Sequence, residues 1–283
     1  MRTEVPPPRA RGDRDRRRAA TAGWIGSVSR RLHVHAWGDE EAPRVVCLHG
    51  VTAWGGHFER LAVALAETHH VLAPDLLGHG ASPWEPPWRI ADHLEALDST
   101  LDGGESTWLG HSFGARLALE HAARSAGKVE RLVLLDPALV IPPHVALWAA
   151  ENARPDRKYD SFSEAVDRRY DESQLHGAPR EVVEAELRGH LVEDEHRWRY
   201  RYAQAAVVVA HSELATPAPG FGAARVPTLV VLGEDSYLPY EPHADAHRAA
   251  LGDLLEVTTV PGGHTVLWDA FDETAAAVRR FLA

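Results

Sequence analysis

Residues 106–123 read STWLGHSFGARLALEHAA, a short apolar run, a serine bracketed by Gly110 and Gly114, and then a run with helical spacing. The chain has to pass from strand to helix within a few residues. Such a turn holds Ser112 at its apex, and small residues at 110 and 114 let neighbouring backbone come close. The helix that follows points its N-terminal dipole toward the hydroxyl. A bare G-x-S-x-G pattern arises by chance; the strand–turn–helix setting is what marks Ser112 as a candidate nucleophile.

Working outward, similar apolar runs recur as RVVCLHG, HHVLAPD, ERLVLLD, PTLVVLG and LLEVTTVPG, with helical stretches such as FERLAVALAE and IADHLEALDSTLD between several of them. Unbroken apolar runs suit strands covered on both faces. Their alternation with helices predicts an open α/β architecture with a mostly parallel sheet. From Ser27, SVSRRLHVHAWG alternates polar and apolar residues, the period of a half-buried strand. His33 and His35 share one face there, and with no third ligand nearby they read as a solvated strand face. Between residues 141 and 216 the rhythm breaks. PPHVALWAAENARP, SFSEAVDRRYDE, PREVVEAELRGHLVEDE and WRYRYAQAAVVVAHSEL read as helices with no strand between them. The expected organisation is an Arg- and Pro-rich mobile arm at 1–22, a core at 23–140 and 217–283, and a helical cap at 141–216.

Composition removes several classes of function. Of 283 residues, 45% are hydrophobic and 25% charged, which excludes a wholly disordered chain. The net charge of −11 is a poor match to nucleic acid or an anionic membrane surface. Cys47 is the one cysteine, so neither an internal disulfide nor a cysteine-based zinc site can form. No stretch approaches the roughly 18 apolar residues of a membrane span, and the first residues lack an apolar signal region. A cytoplasmic location follows as the expectation. There is no G-x-G-x-x-G fingerprint and no Walker A loop. His243 and His247 with Asp245 form a single helical pair, so neither a metal nor an organic cofactor is expected.

A serine hydroxyl needs a base, and the base needs an orienting group. His264, in VPGGHTVLWD after the last strand, is the candidate base. For the carboxylate, Asp235 in LVVLGEDSYLP is taken ahead of Asp136 in LVLLDP; both close apolar strands, where open α/β sheets place their sites. Backbone N–H groups of Phe113 and Val51 are the candidates for an oxyanion hole.

With these residues assembled, the sequence resembles the α/β-hydrolase superfamily in its capped form. The resemblance is carried by His49-Gly50, the segment from Pro74 to Ser82 (PDLLGHGAS), the elbow at Gly110–Gly114, Gly233-Glu234-Asp235 and Gly263-His264, in the order nucleophile, acid, base across roughly residues 27–283. It implies an eight-stranded, mostly parallel sheet with a helical cap after the sixth strand, and a loop-shaping role for Asp75 and His79. Serine at the elbow sets the chain apart from members that carry aspartate there. What remains is an esterase or lactonase acting on a small molecule, without cofactor, as a monomer or homodimer. Trp54, Trp148 and Trp198 are candidate pocket walls and favour a small apolar or aromatic ester. One of the cap arginines (Arg154, Arg157, Arg168, Arg169) is a candidate for a substrate carboxylate. A lyase or C–C bond cleaving enzyme on the same residues, and a ligand-binding protein of this fold, are the alternatives.

Overall fold

The computed structural model describes residues 30–101, 104–125, 127–173, 175 and 177–283. The arm expected at 1–22 and the beginning of the alternating stretch at Ser27 lie outside them. The chain first lays down β1 (Val34–Trp37), β2 (Arg44–Leu48) and β3 (His70–Pro74), with α1 (Glu59–Leu65) after β2. Next come α2 (Ile90–Thr100), β4 (Ser106–His111), α3 (Phe113–Arg124) and β5 (Val129–Leu135). An insertion of α4 (Pro143–Ala153), α5 (Phe162–Ser173), α6 (Arg180–His190), β6 (Leu191–Asp194), β7 (Arg197–Tyr200) and α7 (Gln204–Leu214) follows. The sheet resumes with β8 (Thr228–Gly233), α8 (Glu241–Leu251), β9 (Leu255–Val260), α9 (Val266–Asp269) and α10 (Phe271–Leu282).

Seven strands, against the eight expected, form the main sheet among the described residues, in the order β1-β3-β2-β4-β5-β8-β9. All neighbours run parallel except β1, which is antiparallel to β3. The unbroken apolar runs have a direct cause. Val46, Leu48, Leu132 and Leu134 face a core shared with α2 and α3. Val45, Cys47, Val133 and Leu135 face the opposite core, against α1 and α10. Both faces are covered, so both alternating sets of side chains must be apolar. Each fully buried aliphatic side chain contributes about 1.5–3 kcal/mol. Cys47 is 0% exposed within this packing, and burial pushes its thiol pKa up.

The insertion departs from its helical reading at one place. Leu191–Tyr200 is an antiparallel hairpin, pairing Asp194 with Arg197 across a two-residue turn. Glu195 and His196 at that turn both have positive φ, 51° and 66°. Two successive left-handed residues suit the right-handed twist of a tight hairpin, a task usually given to Asn-Gly or Asp-Gly. Here Glu-His does it, which is why the pattern gives no turn signal. α7 therefore begins only at Gln204. The hairpin packs with α5 and α6 around Tyr159, Val166, Val183, Leu187 and Tyr200, and Trp268 from α9 joins that cluster. Among the described residues no helix is long and apolar enough to cross a membrane.

Candidate active site

Ser112 sits between β4 and α3 with φ 55° and ψ −117°, a left-handed strain for a residue bearing a Cβ. The neighbouring glycines make the bend possible. A Cβ on Gly114 would stand 1.9 Å from the Leu48 carbonyl oxygen, and one on Gly110 2.3 Å from that of Gly114. The elbow is bound to the end of β5. The Ser112 N–H donates to the Leu135 carbonyl at 3.1 Å, and Ala138 N–H donates to the Ser112 carbonyl at 3.3 Å.

The loop after β2 lies against the serine, since a Cβ on Gly50 would be 3.2 Å from Ser112 Cβ. Its shape is fixed from behind. His49 donates through Nδ1 to the Gly50 carbonyl (2.8 Å) and accepts the Leu76 N–H at Nε2 (2.9 Å). His79 Nε2 meets the Val51 carbonyl at 2.7 Å. Asp75 accepts N–H groups from Gly55 and Ala81. Burial works to raise the Asp75 pKa, but hydrogen bonds from His35, Ala81 and Gly55 outweigh it and hold the carboxyl at about 2. Val51, carrying one expected oxyanion donor, is thus in the loop beside Ser112, and Phe113, carrying the other, opens α3.

His264 follows β9 on a loop whose Gly262 has φ 89°. Its Nδ1–H donates to Asp136 Oδ2 at 2.6 Å. Asp136 is 1% exposed and also accepts the Gly233 N–H (2.9 Å) and the Ser236 hydroxyl (2.5 Å). The His264 carbonyl accepts His111 Nε2–H at 2.9 Å. Burial, and the neighbouring His264 and His57, keep His111 neutral by pushing its pKa well down.

The expected carboxylate is therefore corrected: Asp136, not Asp235, meets the histidine. Asp235 is exposed and engages through its backbone N–H, which donates to Gly262 at 2.9 Å. The strand order gives the reason. β5 lies directly beside β4, so its terminal carboxylate is one strand from the serine. In the turn after β8 it is Ser236 whose side chain points inward. Ser236 carries no motif that would have singled it out.

Of the three tryptophans expected to wall the pocket, Trp54 stacks on His190 with centroids 5.8 Å apart. Trp148 is 68% exposed on α4, and Trp198 packs edge-on against Phe162 within the insertion. The rings set against His264 are those of His111, 4.8 Å away, and Tyr237, 4.9 Å away.

The fold also gives His33 and His35 a third neighbour, contrary to expectation. Ligand atoms of His33, His35 and Asp75 lie within 4.8 Å of one another. Both Asp75 oxygens already accept backbone N–H groups, and His35 Nε2 meets Oδ1 at 3.3 Å. Of the cap arginines, Arg169 on α5 is the one that reaches the loop after β2. Its Nη1 donates to Thr52 Oγ1 (3.2 Å), Nη2 to the Thr52 carbonyl (3.3 Å) and Nε to the Tyr200 hydroxyl (3.2 Å).

A serine strained at a strand–helix bend, whose neighbour His111 contacts a carboxylate-bound histidine, within a mostly parallel sheet, points to a class. The chain belongs to the alpha/beta hydrolase family, which it matches over residues 45–277. It is 34% identical over 254 residues to a protein named lipase LipV from Mycobacterium tuberculosis, covering 88% of this chain and 96% of that one. It is 25% identical over 288 residues to a cis-3-alkyl-4-alkyloxetan-2-one decarboxylase from Shewanella oneidensis, covering 88% and 85%. Among solved structures, that of E-2-(acetamidomethylene)succinate hydrolase superposes with a TM-score of 0.78 at 24% identity, over 89% of this chain and 94% of that one.

Proposed function

We propose that this chain is a serine hydrolase that cleaves a carboxylic ester or lactone of a small molecule through an acyl-enzyme on Ser112. His264 is the base and Asp136 the group that orients it. The observation that carries this reading is the 2.6 Å contact between His264 Nδ1 and Asp136. That contact commits the Nδ1 proton to Asp136 and leaves Nε2 with its lone pair for the serine proton. Ser112 then attacks the carbonyl carbon while the N–H groups of Val51 and Phe113 hold the oxyanion. His264 returns the proton to the leaving alcohol. Water, deprotonated by the same imidazole, releases the acid. A lactone is kept within the reading because one relative is named for an oxetan-2-one.

The test is turnover of p-nitrophenyl esters from acetate to octanoate by the wild type and by Ser112→Ala. The variant is expected to fold and to lose about 10³-fold or more in turnover. Equal turnover in both proteins would sink the assignment. A second reading, a lyase on the same residues, draws on the relative named a decarboxylase. It predicts no ester turnover and no covalent adduct on Ser112.

A further inference from the structure

Arg169 differs from the ion-paired arginines of the insertion. Arg157, Arg180, Arg197 and Arg199 each pair with an aspartate or glutamate. Arg169 meets only neutral oxygens, from Thr52 and Tyr200, and its guanidinium lies 4.4 Å from the centre of the Tyr200 ring. Among the described residues no carboxylate pairs with it. These contacts use three of its five N–H donors. Burial disfavours the cation, yet the guanidinium pKa is raised above its ordinary value, with the Tyr200 hydroxyl accepting its Nε–H. A desolvated cation without a counter-ion is costly, and an anion that reaches it relieves that cost.

The position is specific. Thr52 follows Val51, and the same loop presents Gly50 to Ser112. Burial and Asp136 raise the pKa of Tyr237 while Arg169 opposes them, and the Tyr237 ring packs against His264. His190, which shares the Thr52 carbonyl at 3.1 Å, offers no rival charge. Burial and the nearby Arg169 push its pKa well down. One cation from the insertion thus meets the loop that lies against the serine.

We infer that Arg169 binds a carboxylate of the substrate, so that the preferred ester carries a second, free carboxylate besides the scissile carbonyl. This rests on Ser112 being the nucleophile. Arg169 keeps one N–H on each terminal nitrogen for charge-assisted hydrogen bonds to a carboxylate, a match that neutral or purely apolar esters cannot use. It turns the expectation of an apolar substrate toward an anionic one.

Matched pairs test it. p-Nitrophenyl hydrogen glutarate against p-nitrophenyl methyl glutarate places the charge in the acyl part. 4-Acetoxybenzoate against its methyl ester places it in the alcohol part. In at least one pair the wild type is expected to prefer the anion. Arg169→Gln is expected to lower kcat/KM for the anionic member at least about tenfold more than for its neutral partner, chiefly through KM. Arg169→Lys should recover part of the difference, and it serves as well if the glutamine variant fails to fold. If Arg169 merely bolts the insertion to the loop, both members of each pair fall together, and the inference is overturned. A second arm does not need turnover. Glutarate is titrated calorimetrically into full-length Ser112→Ala, with and without Arg169→Gln. Binding lost with the arginine supports the inference even if every ester is inert, which would instead count against Ser112. Failure of glutarate to bind, together with no preference in either pair, overturns it.

Discussion

Asp136 receives three donors on two oxygens, a backbone N–H, a hydroxyl and an imidazole. Replacing it by asparagine would present an amide N–H to Nδ1 and favour the wrong tautomer of His264. Asp136→Asn should cost about 10²–10⁴ in turnover, by analogy with triads of this geometry, whereas Asp235→Asn should stay near wild type. The reverse pattern, measured on one p-nitrophenyl ester, would restore Asp235. Ser112 and His264 are legible in the sequence because each sits in a local pattern, the glycine-flanked bend and the Gly-Gly loop, that dictates its placement. The carboxylate is not. Asp136 and Asp235 both end apolar strands, and the choice depends on strand order and on which side chain turns inward after β8. Neither leaves a mark along the chain. Arg169 is hidden for the same reason, as one of several arginines on helices whose facing partners only the fold reveals.

The elbow works as an element because β2, β4 and α3 approach more closely than side chains allow. Gly114→Ala would drive a Cβ into the Leu48 carbonyl, so the strand must move or the turn must open. The expected loss is about 3 kcal/mol or more, at the upper end for overpacked sites. A lower urea midpoint, or failure to accumulate as soluble protein, would register it; an unchanged midpoint would show that the backbone yields cheaply. The parallel sheet follows from its apolar runs, whereas the hairpin at 191–200 does not. Its strands carry arginines and glutamate at every second position or so. Its turn, too, uses Glu195-His196 in place of the Asn-Gly or Asp-Gly pair that signals such a hairpin. The insertion is fastened to the sheet through polar contacts as well. Glu186 of α6 accepts His57 Nδ1–H at 3.0 Å and also the Trp268 indole N–H.

Taken whole, the molecule buries an unusual set of imidazoles. Burial is the leading cause that lowers the pKa of His49, His79, His111 and His190, and it takes His247 to about 4. In the native state these rings stay neutral, while in the unfolded chain they take up protons near pH 6.5. Below that value the unfolded chain binds more protons, and each such group withdraws up to about 1.4 kcal/mol of stability per pH unit. The contribution of Asp75 runs in another window, present above its ordinary value and lost as the pH falls toward about 2. The urea midpoint should therefore fall steadily from pH 7 to pH 4.5, ahead of any carboxylate effect. A flat profile across that range would mean the histidines are more open to water than their packing indicates. Cys47 has a different use. The chain's one thiol is enclosed between β-sheet and helices and held protonated, so thiol-directed probes find the native surface silent. Cysteines introduced at two exposed positions, Val63 on α1 and Leu147 on α4, can then carry spin labels without removal of the native residue. The spread of distances between them would report how far the insertion travels relative to the sheet.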